Sequence, residues 1–309
     1  MNKPLDLKKT NKPQYGILYM LGAMLILVSI NALAKETVGR YPLTQIVFFR
    51  TFFSLIPCGV LLFKAEGFKS LHTQHPLRHL IGGVIGTLAL ICLFLSLKLM
   101  PLADAVTIHF SETFFLTVLS SLLLKEHAGT HGWISIIIGF LGILIIIRPS
   151  GVVTPLGVLA GILFALGDAF FMMNARILTR TDSSVGIVIY FTLIASLLTA
   201  CFLPWVWVQP TPLDCLILVL LGIGGGIGQL CIIQAYRHAP AAIVAPMIYS
   251  ALLWSVLFGY IFWGEVPDWM FFLGSSLVVS SGLYIIYQEN RKHTLITAAP
   301  PQTVMKDER

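Results

Sequence analysis

Apolar residues fall in ten long runs along this chain, each closed by a short polar or turn-forming stretch. The runs cover roughly 15–35, 42–63, 77–99, 102–124, 132–148, 153–175, 184–207, 213–236, 240–263 and 268–288. About 18–25 apolar residues is the length of a helix that crosses a hydrocarbon layer, so ten membrane-spanning helices are predicted. The connections carry turn formers such as Tyr41-Pro42, His75-Pro76, Met100-Pro101 and Arg148-Pro149-Ser150-Gly151, and none is long enough for a soluble domain. The first run follows a basic segment and contains Ala32-Leu33-Ala34, which has the look of a signal-peptidase site. Its length, and the spans behind it, read instead as a retained first helix.

Composition makes the bilayer the solvent. Of 309 residues, 57% are hydrophobic and only 11% are charged, against about 25% charged in soluble domains. Mean hydropathy is +0.87. The net charge of +6 is spread over short loops and the two ends, which argues against nucleic acid as a partner. Most lysines and arginines share one side if the N-terminus is cytoplasmic; Lys35, Arg40, Lys98 and Arg148 lie on the other side and Arg50 falls inside a span. The positive-inside rule then predicts both termini in the cytoplasm. Trp133, Trp205, Trp207, Trp263 and Trp269 near span ends suit interfacial anchors. The five cysteines lie in or beside apolar runs without a C-x-x-C pair, and read as buried small side chains.

The chain repeats itself at an offset of 139 residues. Pro101 matches Pro240, Ala103 matches Ala242, Phe110-Ser111 matches Tyr249-Ser250, and Glu126 matches Glu265. Two copies of a five-helix unit follow, and because five is odd the second enters the membrane inverted. Inverted repeats are a transporter device that supplies two near-equivalent conformations, one open to each side. The expected fold is an all-α polytopic membrane protein of ten transmembrane helices in two inverted five-helix repeats, at 15–148 and 152–288, with tails at 1–14 and 289–309.

On Phe48-Phe49-Arg50, the helix-ending Glu126 and Glu265, and the glycine-rich spans after them, residues 15–288 resemble the drug/metabolite transporter superfamily, EamA type. Asn31-Ala32-Leu33-Ala34-Lys35 and the ending Tyr284 to Tyr287 are similar to its S-adenosylmethionine uptake branch. The resemblance implies a central cavity lined by both halves and transport by alternating access. Riboflavin importers and exporters of amino acids, drugs or metallophore-type metabolites have the same general pattern.

Candidate chemistry sits inside the spans. Glu112 lies near the middle of the fourth run, where an ionisable group costs roughly 2.5–3.5 kcal/mol on insertion scales. Its repeat counterpart is Ala251, so the charge is an addition to the shared scaffold. Glu112 reads as a substrate-cation or proton site, or else as a neutral packing carboxyl. His109 lies one turn away on a polar arc with Thr113, Thr117 and Ser120. Arg50 is expected at similar depth, either ion-paired with Glu112, reading the other end of a zwitterion with it, or bound to backbone carbonyls. Asp168 is expected nearer the cytoplasm, either with Met172 in an inner vestibule or in a hydrogen bond to a neighbouring helix. Gln229, Tyr249 and Trp254 complete the substrate or ion-binding candidates, the aromatics by stacking on a planar or cationic group. Pro246 should free a carbonyl inside the ninth span, and Glu126 and Glu265 should take loop amides at opposite faces.

Gly222 to Gly228 lacks a preceding strand and the G-x-G-x-x-G spacing, so it reads as close helix packing. The histidine pairs His72/His75 and His127/His131 lack further ligands at metal spacing. No metal, cofactor or enzymatic chemistry is expected. The predicted function is secondary transport of a small organic metabolite across a bacterial inner membrane, the best match being an S-adenosylmethionine-like or other amino-acid-derived cation or zwitterion. A receptor or scaffold without transport is the competing class. Expected partners are the solute, the lipid bilayer, and protons or an exchanged solute; a homodimer is allowed.

Overall fold

A computed structural model describes residues 13–63, 67, 71–123, 129–146, 154–179, 181–239 and 241–298. Among the described residues the regular structure is all helical. The helices are α1 (Pro13–Thr37), α2 (Leu43–Leu61), α3 (Pro76–Leu99), α4 (Leu102–His109), α5 (Glu112–Leu123), α6 (Gly129–Ile146) and α7 (Pro155–Leu178). They continue as α8 (Ser184–Val206), α9 (Pro212–His238), α10 (Ala241–Val244), α11 (Ser250–Trp263) and α12 (Trp269–Ala298). Eight stretches are long and apolar enough to cross a membrane, and Ile136–Ile146 and Trp269–Tyr284 are two shorter apolar helices. This is the expected ten-span arrangement.

Local chemistry sets the helix ends. Proline opens α3, α7 and α9, where its missing N–H costs nothing. Thr154, Ser183 and Thr211 cap α7, α8 and α9, their hydroxyls accepting amide hydrogens three residues on. Gly264 ends α11 at φ 65°, the left-handed conformation that glycine adopts without penalty.

The packing repeats with the sequence. α1 lies along α9 as α7 lies along α3, and α2 packs on α9 as α8 packs on α3. One bundle therefore holds α1, α2, α9 and the α10–α11 span; the other holds α3, the α4–α5 span, α7 and α8. They meet where α2 crosses α8 and α4 crosses α11, while α6 pairs with α12. A side chain added at Gly222 would come within 2.6 Å of the Phe49 carbonyl, so the glycine face of α9 is spent on contact with α2. Gly225 faces the Arg50 guanidinium, whereas its equivalent Gly86 faces Phe191. The same interhelical slot thus holds a cation in one half and an aromatic ring in the other.

Two spans are broken near mid-length. The fourth is not the single helix its apolar run suggests: Phe110 and Ser111 interrupt it, with Phe110 N–H bonding the Thr107 carbonyl at 3.2 Å and Ser111 N–H bonding that of Ile108 at 3.0 Å. The Ser111 hydroxyl donates to the same Ile108 carbonyl at 2.7 Å, a side-chain competitor for the helical ladder. In the ninth, a 3-10 turn over Ala245–Tyr249 contains Pro246 and separates α10 from α11. Tight turns inside a span are tolerated where protein or a cavity surrounds them.

Side-chain clusters fasten the two ends. At one, Tyr41 donates to Asp214 at 2.7 Å and Arg40 pairs with the same carboxylate at 3.1 Å. At the other, His79 lies 2.7 Å from Asp182, which also accepts from Thr73 at 2.5 Å. Burial pushes the Asp182 carboxyl up, but hydrogen bonds from Thr73, His79 and Thr181 outweigh it and hold the carboxyl below its ordinary value. The cysteines are free thiols. Cys58 is buried, as expected, but Cys201 is exposed on α8, since in an apolar solvent a small apolar side chain has no reason to turn inward.

Candidate functional site

The break in the fourth span places Glu112 at the first position of α5, facing α7. The side chain that meets it there is Asp168: the two carboxyl groups are close enough to hydrogen-bond each other. Such a bond requires a proton on one of the two, because two carboxylates offer only acceptors. Asp168 therefore does not line a separate inner vestibule; the packing of α5 on α7 brings both acids to one level.

Arg50 approaches from the opposite bundle. Its charge acts on Asp168, and its guanidinium lies 5.8 Å from the centre of the Phe94 ring. No ion pair forms between Arg50 and Glu112 among the described residues. Arg50 Nη1 is buried and has no hydrogen-bond partner among them. The arginine is neither neutralised by a carboxylate nor tied to backbone carbonyls through that nitrogen. Arg50, Glu112 and Asp168 are each half-buried although all three lie deep among the helices, as expected of groups lining an internal space.

Aromatic groups from the Arg50 bundle close on the acids. Tyr249, the last residue of the 3-10 turn, lies beside Thr113 and stands 4.9 Å from the Phe110 ring, centre to centre. Both Tyr249 and Tyr236 lie within electrostatic range of Glu112. Gly282 on α12 makes room for the Tyr249 hydroxyl, since a Cβ there would overlap it.

His109 turns away from this group. It is 9% exposed, its Nε2 lies 3.0 Å from the Ser96 hydroxyl, and its ring meets Phe164 edge-on at 4.5 Å. The helical arc that seemed to join His109 to Glu112 is cut by the turn at Phe110-Ser111. Gln229 is half-buried one turn beyond Gly225, and no hydrogen bond described here joins it to the charged groups. Trp254 packs on the core with its indole N–H buried and without a partner among the described residues. Glu265 accepts the Leu102 amide at 3.0 Å and pairs with Lys35 at 2.5 Å. Glu126 lies outside the described residues. Thr113, which lies on the polar arc of its span, and Tyr236 are neighbours of this group as well, brought beside Tyr249 and Glu112 by tertiary packing.

A family model, EamA-like transporter family, matches residues 14–148 and again 155–287. The chain belongs to the EamA-like transporter family. Its EamA relatives include the pseudopaline exporter CntI of Pseudomonas aeruginosa, 30% identical over 280 residues that cover 89% of this chain and 95% of that protein. The S-adenosylmethionine uptake transporter of Rickettsia conorii is 24% identical, over 89% of this chain and 97% of its own. A solved structure superimposes with a TM-score of 0.62 at 21% identity, covering 90% of this chain and 99% of that one, and shows the fold alone. The protein is a multi-pass membrane transporter acting on a small molecule. The ionisable cluster lies between the two bundles, at the broken span.

Proposed function

We propose that this EamA transporter carries an amino-acid-derived metabolite with a positively charged group, of the S-adenosylmethionine kind, across a bacterial inner membrane. Both termini then face the cytoplasm. One observation carries the reading: a protonatable carboxyl pair, Glu112 with Asp168, sits in one bundle opposite the unsatisfied Arg50 guanidinium of the other.

A zwitterionic head group complements that arrangement. Its cation replaces the proton of the carboxyl pair, its carboxylate takes the free N–H of Arg50, and Tyr249 and Tyr236 wall the cationic end. The solute then bridges the bundles, so binding and rocking are coupled. A cation that displaces a proton makes the site an exchanger, driven by a proton gradient or by a second solute. The names of the relatives support an amino-acid-derived solute, and they differ in direction, one an exporter and one an uptake carrier.

The test is transport by the purified full chain in proteoliposomes, with labelled S-adenosylmethionine presented on either side. Counterflow that the Glu112→Gln change sharply lowers supports the reading. A folded receptor or scaffold gives no counterflow with any solute of this class.

A further inference from the structure

We infer that Lys35 and Glu265 form a latch that holds one end of the central space shut, and that this latch must open in each transport cycle. Both residues belong to the bundle of α1, α2, α9 and α11. Lys35 is in the last turn of α1, and Glu265 directly follows the Gly264 cap of α11. Their ion pair is 2.5 Å long, with side chains only 13% and 20% exposed. The lysine ammonium also lies 4.8 Å from the centre of the Trp263 ring.

The pair does more than join its own bundle. Lys35 Nζ donates to the Met100 carbonyl at 3.1 Å, and Glu265 Oε2 accepts the Leu102 amide at 3.0 Å. Met100 and Leu102 flank Pro101, the turn between α3 and α4 in the opposite bundle. One ion pair therefore grips both sides of a single turn across the bundle interface. These are charge-assisted bonds to backbone, about twice as strong as neutral ones. Pro101 supplies no N–H, so the grip falls on the groups beside it.

The surroundings fit a closed end. α4, which runs inward from the gripped turn, is buried along its length except for Asp104. Past the break, α5 is half-buried from Glu112 to Ser121 except for Phe114. The chain between the gripped turn and the carboxyl pair is thus packed in protein on the Lys35 side. Because α4 leads from the gripped turn to the break at Glu112, opening the latch frees the element that carries the site. Lys35 and Glu265 are positioning residues, since neither touches the solute site.

The inference rests on the alternating-access reading, but it can be tested without a solute. Spin labels are placed at Val266 and Lys98, exposed positions on opposite bundles, in the full chain with its own cysteines replaced and set in lipid nanodiscs. Pulsed electron–electron distances should show one short population in the parent and in Lys35→Arg. Glu265→Gln and Lys35→Met should raise a longer population several-fold while the helical content is kept. Unchanged distances in both variants, even with lowered melting temperature, would make the pair a static brace and overturn the latch. A long population already dominant in the parent would overturn it too. Because no solute enters the experiment, its outcome is independent of whether the carboxyl pair binds a cation.

Discussion

The Glu112 and Asp168 carboxyl groups stand within hydrogen-bonding reach of each other, across the contact between α5 and α7. Two acids that meet inside a membrane protein cannot both be ionised cheaply. Neither acid has an acidic counterpart in the repeat, and Phe191 replaces Arg50 in the contact with Gly86. The charged cluster is an asymmetric insertion into a symmetric frame.

Glu112→Gln and Asp168→Asn should each abolish the pH dependence of transport while leaving the folded protein intact. Because the two act as one proton site, the double change should cost little more than either alone. A double-mutant cycle on transport rate should give a coupling of about 0.5–3 kcal/mol. Additive losses would mean that the acids work separately.

Gly282→Ala should crowd the Tyr249 hydroxyl and push the ring out of place, raising the solute KM. Adding Tyr249→Phe should relieve part of the crowding, because it removes the overlapping hydroxyl and leaves a ring atom at 2.8 Å from the new methyl, which a small shift of the ring clears. If the double variant binds solute no better than Gly282→Ala, the crowding of the hydroxyl is not the cause.

Gly222→Ala puts a methyl 2.6 Å from the Phe49 carbonyl, a backbone atom that cannot swing aside. Thermal unfolding in detergent should show a loss of about 1–3 kcal/mol, the usual cost of overpacking. Gly22→Ala, where nothing lies within 4 Å, should lose far less.

Much of this could be read from the sequence because the bilayer simplifies the code. Apolar runs gave the spans, and the 139-residue offset gave the repeat, since both depend on local spacing. The glycine face of α9 was legible for the same reason. The break at Phe110-Ser111 was not, as it contains neither proline nor glycine; Pro246 announces the equivalent turn in the ninth span. That Asp168 meets Glu112 was not legible, because depth along a span says little about how two helices are rotated against each other. The Lys35–Glu265 pair joins residues 230 apart, beyond the reach of any local pattern.

Asp182 gives a pH test outside the spans. Its folded pKa is depressed, so its contribution to stability is full above the unfolded carboxylate value of about 3.9 and is lost as pH falls through the lower folded value. Asp182→Asn should lower the melting temperature at neutral pH and flatten the stability curve in the acid range. An equal acid slope in both proteins would assign the loss to other carboxyls.

The most direct test of the transporter reading is counterflow of labelled S-adenosylmethionine into proteoliposomes preloaded with the unlabelled compound. Transient accumulation by the parent protein, and sharply lower accumulation by Glu112→Gln at equal reconstitution, is the predicted result. No accumulation of this or any other amino-acid-derived cation by the folded parent, from either side, would contradict it.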